Sequence, residues 1–232
     1  MHLTSVSDPD SPRLVEVAHL LQAVFADPNT VLGLDRLREF LAANAVVPER
    51  SFHVHAALGS DDQVVGATVF SYVPRSNCGF SEYIVSRPDV RGQGIGRRLF
   101  DARKRQLDEA ARAAGHAGCH GLFIEADSPE RTPAALLEAE RETGLDARER
   151  LRLFAHLGFL RVDVEYVQPP LGPGKQAVPY LDLLFAPWRE NAFAEIPSNW
   201  MVETVTPIWA AWSPGTRPPA LPHNSHLRLL PL

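Results

Sequence analysis

The feature that most constrains this chain is the run VSRPDVRGQGIGRRLFDARKR, residues 85–105, where three glycines and an isoleucine separate a strand-like segment from a helix-like one. Glycine permits positive φ and lets a ligand approach the backbone, and the first N–H groups of a helix have no intrahelical partner. Residues Arg91, Gly92, Gln93, Gly94, Ile95 and Gly96 therefore present successive amides at a helix start, an arrangement suited to a pyrophosphate. Arg97 and Arg98 fall in the first helical turn, where the macrodipole disfavours each cation by about 0.3–1 kcal/mol. A bound phosphate reverses that sign. The plainer alternative is a tight turn followed by good helix formers, and the setting of the junction in the chain decides between them.

That setting is read from periodicity. His2 to Val6 is a short strand candidate, and Leu14, Val17, Leu20, Leu21 and Val24 recur at helix spacing until Asp27, Pro28 and Asn29. A second helix runs from about Asp35 through LREFLAAN. The segments FHVHAALG and QVVGATVFSYVP, joined by Ser60-Asp61-Asp62, read as an antiparallel hairpin rich in β-branched and aromatic residues. A further strand, GFSEYIVSRP, enters the glycine junction, and the helix beyond carries Ile95, Leu99, Ala102, Leu107 and Ala110 along one face. CHGLFIEAD is the next strand. An acidic insert, Ser128 to Gly144, leads to a helix capped by Asp146 and stopped at Gly158, and LRVDVEYVQPP and VPYLDLLFAPW close the pattern as strands. This order predicts an α/β fold, a mixed sheet with helices on both faces.

Residues 1–188 read as one domain. Residues 189–232 read as a C-terminal helical segment and a Pro-rich tail packed on it: Met201, Val205, Ile208 and Trp212 share one face, although Pro207 interrupts the pattern. The tail LPHNSHLRLLPL is too short and too rich in proline for independent structure.

Two nucleotide patterns compete for the junction. The dinucleotide fingerprint G-x-G-x-x-G fails because Arg97 stands where the third glycine belongs, and because the junction follows a hairpin in mid-chain. The pattern Arg or Gln, two residues, Gly, one residue, Gly or Ala is filled by Arg91, Gly94 and Gly96. Through YIVSRPDVRGQGIGRRL, and through LRLFAHLGFLRVDVEYV with its helix-Gly-Phe-strand order, the chain resembles the GNAT superfamily of N-acetyltransferases over residues 2–186. The resemblance reaches the superfamily and no subfamily. It implies a mostly antiparallel central sheet that splays between strands 4 and 5, with acetyl-CoA as cosubstrate. Pantetheine would lie along Tyr83, Ile84 and Val85, and the pyrophosphate on Arg91, Gly92, Gln93, Gly94, Ile95, Gly96 and Arg97.

Transfer of an acyl group to an amine by direct attack in a ternary complex requires a neutral amine, and an aliphatic amine with a pKa near 10 is protonated at pH 7. A general base contributes roughly 10²- to 10⁴-fold. Glu82 and Glu125 are the candidates, each on a strand bordering the expected gap; for each the alternative is an ion pair or a solvated strand end. Many members of the superfamily carry a Tyr four residues before the Gly of GF as general acid, and Phe154 stands there instead. Tyr166 or His156 could substitute, or positioning alone could suffice, because a thiol with a pKa of about 8.5 leaves readily. Glu82, Glu125, Asp127 and Glu165 together would favour a cationic acceptor, with the acidic insert and Gln168 shaping the opening.

The net charge of −5, without a block of like charges, points away from nucleic acid and from an anionic membrane surface. Cys78 and Cys119 lack the paired spacing of a zinc site, so no metal is expected, and neither reads as a nucleophile. The amino terminus lacks the order of a signal peptide, which gives the expectation of a cytoplasmic protein, monomer or homodimer, acting on a small-molecule or peptide amine. The alternative from a different class is a non-catalytic acyl-CoA-binding module with a protein partner, in which Phe154 marks lost chemistry.

Overall fold

The computed structural model describes residues 1–44, 48–144, 146–188, 194–218 and 225–232. Strands β1 (His2–Ser5), β2 (Ser51–Leu58), β3 (Val64–Val73), β4 (Cys78–Ser86), β5 (Gly121–Asp127), β6 (Leu160–Val162), β7 (Leu181–Pro187), β8 (Glu195–Pro197) and β9 (His226–Leu230) form a nine-stranded sheet in the order β1-β2-β3-β4-β5-β7-β6-β9-β8. Every neighbouring pair is antiparallel except β4 and β5, which run parallel. The helices are α1 (Pro12–Val24), α2 (Leu34–Ala43), α3 (Ile95–Ala113), α4 (Ala134–Glu142), α5 (Ala147–His156) and α6 (Ser198–Trp212).

Period-2 alternation sends the two faces of the sheet into separate cores. Phe80, Tyr83 and Phe123 join the side chains of α1, α2 and α6, among them Leu14, Phe40, Met201 and Trp212. Phe70, Leu122, Ile124 and Leu184 meet Phe100 and Leu107 of α3 and Phe154 of α5 on the opposite face. Local signals set the helix starts: Ser11 accepts from Arg13 N ahead of Pro12, and Asp146 accepts from Glu149 N at 2.8 Å. Gly94 precedes α3 at φ 75°, a left-handed conformation that glycine adopts without steric cost.

Three local expectations are revised. The insert at Ser128 to Gly144 contains helix α4. The strand expected over residues 160–170 is only three residues long, and the chain pairs again at Gln168↔Val178, just before Pro169 and Pro170. In the tail, His226–Leu230 is strand β9, paired with β6 and β8, because a five-residue run can be held by neighbours when it cannot stand alone. Helix α6 continues through Pro207, and Met201, Val205, Ile208 and Trp212 are all buried. The expected boundary after Trp188 falls at residues 189–193, outside the described residues.

Candidate active site

β4 pairs with β3 along its whole length, but with β5 only at Gly79↔Leu122, Phe80↔Phe123 and Ser81↔Ile124. Beyond Ser81 the two strands share no further pairs, and both then line a cleft of about 470 Å³. The β3–β4 register slips at the same place: Val69 faces Tyr83 and Phe70 faces Ser81, which leaves Glu82 as the extra residue of a bulge. The bulge re-aims side chains. Ser81 turns toward α3 and accepts from the buried Arg103, whereas Tyr83 packs in the core of α1 and α6. Glu82 serves that second face, where Ser71 Oγ donates to its Oε1 at 2.7 Å and Arg50 Nη1 donates to Ser71 Oγ at 3.2 Å.

Glu125 lines the same cleft from β5. Its Oε1 accepts from Tyr166 Oη at 2.5 Å, and its Oε2 accepts from Gln168 Nε2 at 2.6 Å. Tyr166 in turn accepts from Trp209 Nε1 at 3.3 Å. Burial raises Glu82 to about 7, against the opposing effects of Ser71, Arg50 and Arg103. Burial likewise raises Glu125 to about 7, opposed by its bonds from Tyr166 and Gln168 and reinforced by the charges of Glu82 and Asp127. Both carboxyls thus sit where a proton can be taken or given at neutral pH.

Of the residues expected to hold a coenzyme, Tyr83, Ile84, Val85, Arg91, Gly96 and Arg97 line the cleft. Gly92, Gln93 and Gly94 are exposed on the loop beside it, while the Ile95 side chain is buried beneath. A Cβ added at Gly92, Gly94 or Gly96 would meet no atom within 4 Å, so the space over these amides is open. The Tyr83 side chain is tied into the framework. Its hydroxyl donates to Thr30 O at 2.9 Å and accepts from Leu32 N at 2.8 Å, which fastens the segment after α1 to β4. Arg91 Nη1 donates to Thr143 O at 2.5 Å, and Arg97 pairs with Asp101 at 3.1 Å.

The remaining candidates separate. Phe154 lines the cleft, and His156 lies at it with its ring Nδ1 2.7 Å from Arg152 O. Tyr166 is buried behind Glu125 and is not among the lining residues. Asp127 lines the cleft but is paired with Arg150 at 2.5 Å, and Glu165 is exposed elsewhere. Sequence reasoning missed Ser71 and Arg50 behind Glu82, and the apolar wall of Val24, Phe25, Leu171, Leu181 and Trp212. Ser71 had a signal, being a hydroxyl in the apolar run VVGATVFSYV; Arg50 had none. Burial pushes both cysteine thiols up, Cys119 to about 12, which leaves them protonated at neutral pH. Among the described residues, no group of three or more His, Cys, Asp or Glu side chains could hold a metal, and no helix is long and apolar enough to cross a membrane.

Residues 14–139 match the model of the Acetyltransferase (GNAT) family. Among solved structures, the chain is similar to a protein described as an acetyltransferase from the GNAT family of Bacteroides thetaiotaomicron, with 16% identity, a TM-score of 0.55, and coverage of 82% of this chain and 89% of that one. It is also similar to a protein described as an acetyltransferase from Acinetobacter baylyi, with 14% identity, a TM-score of 0.50, and coverage of 79% and 89%. The ribosomal-protein-S18-alanine N-acetyltransferase of Escherichia coli matches at 16% identity and a TM-score of 0.46, over 83% of this chain and 98% of that one. No curated protein matches the chain with significance.

Proposed function

The chain belongs to the GNAT family of acetyltransferases, and from that premise we propose that it transfers the acetyl group of acetyl-CoA to an amine by direct attack in a ternary complex. One observation carries this reading: the strands part immediately after Ser81, so that the bulged Glu82 and the glycine junction border one cleft. Tyr83, Ile84 and Val85 pair with β3 on one edge and have no strand partner on the β5 edge, where their outward main-chain groups are available to pantetheine. The amides from Gly92 to Gly96, with Arg91 and Arg97 beside them, suit the pyrophosphate, and the open space above the glycines fits that role.

Acetyl-CoA supplies an acyl group already activated as a thioester. Glu82 takes a proton from the incoming ammonium, which leaves an amine lone pair for attack. Its Oε2 has no partner among the described residues, whereas both oxygens of Glu125 are engaged. Glu125 is the second proton acceptor of the pair, held by Tyr166 and Gln168. Tyr166 acts through Glu125, since its hydroxyl is committed there. Phe154 contributes an apolar wall and no proton, and a thiolate leaving group with a conjugate pKa of about 8.5 needs no strong acid. Residues 1–188 form the acyltransferase domain in this reading, and residues 189–232 complete the acceptor side through Trp212.

The test is release of coenzyme A from acetyl-CoA in the presence of primary amines, in wild type and Glu82→Gln. Amine-dependent release that collapses in the variant supports the reading. Coenzyme binding without release for any amine supports the non-catalytic module instead.

A further inference from the structure

The three arginines that line the cleft are not equivalent. Arg97 pairs with Asp101 at 3.1 Å, and Arg150 lies between Asp127 at 2.5 Å and Glu140 at 2.9 Å, so a carboxylate matches the charge of each. Arg91 has no carboxylate partner among the described residues. Its Nη1 donates to a main-chain carbonyl, Thr143 O, at 2.5 Å, and a guanidinium has further donors to offer. Burial and the charge of Arg150 both act against the Arg91 cation, a pressure that an anion beside it would relieve.

The carbonyl that holds Arg91 belongs to the last turn of α4. That helix has one buried residue, and it is a carboxylate: Glu140 is 5% exposed, while Leu136 is only partly buried against the core. Glutamate is seldom buried unless paired, and an apolar residue of similar volume often holds an element as well or better. The pairing therefore asks for a reason beyond stability.

Geometry supplies one. Glu140 Oε1 accepts from Arg150 Nη2, and Glu140 O accepts from Thr143 N at 2.9 Å and from Thr143 Oγ1 at 2.7 Å. One residue thus ties the last turn of α4 to α5 through its side chain and carries Thr143 through its carbonyl. Asp127 holds the same Arg150 to the end of β5. A continuous path of bonds runs from Asp127 through Arg150, Glu140 and Thr143 to Arg91, joining the strand beside the gap to the glycine junction. Burial pushes the Glu140 carboxyl up and Arg150 pulls it down, and either protonation state can accept the bond from Nη2. None of residues 128–144 lines the cleft itself, so α4 reaches a bound coenzyme through Arg91.

We propose that Glu140 is a positioning residue for the coenzyme: by fixing the last turn of α4 it holds the Arg91 guanidinium beside the glycine junction, where its remaining donors meet the pyrophosphate. This deepens the acetyl-CoA reading and rests on it for the ligand, but not for the transfer step.

The experiment is calorimetric titration of acetyl-CoA into the wild type, Arg91→Ala, Glu140→Leu, Glu140→Ala and each Glu140 variant combined with Arg91→Ala, with coenzyme A release to primary amines followed in parallel. Both Glu140 variants leave Arg150 matched by Asp127, and Leu keeps the buried site filled. Each single variant is expected to weaken acetyl-CoA by about tenfold, in keeping with one charge-assisted hydrogen bond. In the Arg91→Ala background the Glu140 substitutions are expected to cause no further loss, because Glu140 acts through Arg91. A residue that merely supports the fold would weaken binding again in that background.

Unchanged affinity in Arg91→Ala, unchanged affinity in a folded Glu140 variant, or additive losses in the double variants overturn the inference; the Arg91→Ala arm decides even where a Glu140 variant does not fold. Any of these with amine-dependent release in the wild type removes the inference and leaves the transfer reading. The expected binding pattern without release for any amine does the reverse, and no binding by the folded wild type removes both.

Discussion

Ser71 Oγ donates to Glu82 Oε1 at 2.7 Å across the β3–β4 ladder, at the residue where the register slips and β5 parts from β4. A single extra residue thus does two things. It places a carboxylate at the mouth of the gap, and it lets Tyr83 stay on the α1 face to fasten the segment after α1.

If Glu82 is the proton acceptor, Glu82→Gln lowers kcat by about 10²- to 10⁴-fold while acetyl-CoA affinity is unchanged. In the wild type, kcat/KM rises with pH through an apparent value near 7, well above an ordinary carboxylate. Because Glu82 and Glu125 interact, that value belongs to the pair. Initial rates from pH 5 to 9 in both proteins check this.

Tyr166→Phe removes the donor that stabilises ionised Glu125. The acid limb of the rate profile is expected to move upward in pH, and the base limb to stay in place. A variant that merely loosened the core would lower the rate at every pH without moving the limb.

The raised carboxyls also tie stability to pH. Glu82 and Glu125 go from an ordinary 4.5 to about 7 on folding, so the folded state binds their protons more tightly. That contribution is complete below pH 4.5 and is lost as pH rises through 7. Between those limits the unfolding free energy should fall by on the order of 1–3 kcal/mol per carboxyl, and Glu82→Gln should flatten part of the slope. Urea denaturation at pH 5 and pH 8 measures it.

Helix α6 is part of the core. Trp212 is 2% exposed, meets Phe80 edge-on at 5.6 Å between ring centroids, and also lines the cleft. Trp212→Ala should cost about 3–5 kcal/mol in stability, read by denaturant midpoint. A loss below about 1 kcal/mol would mean that α6 is only loosely docked.

Much of this was legible in the chain because it is local. The glycine junction, the apolar faces of α3 and α6, and the Asp146 cap are each written within a few residues, and the strand-helix order fixes the sheet around them. Long-range pairings were not legible. Ser71 reaches Glu82 through a register slip, and Gln168 reaches Glu125 over 43 residues. Neither leaves a periodic signal. β9 was hidden for a similar reason: its five residues gain strand geometry only from β6 and β8.

The most direct measurement is calorimetric titration of acetyl-CoA into the wild type and into Gly96→Trp. Gly96 has open space where its Cβ would stand and no positive φ, so a side chain there should project over the junction without straining the backbone. The account predicts binding by the wild type and loss of at least about tenfold in affinity in the variant at unchanged melting temperature. No binding by the folded wild type, or equal binding by both proteins, would contradict it.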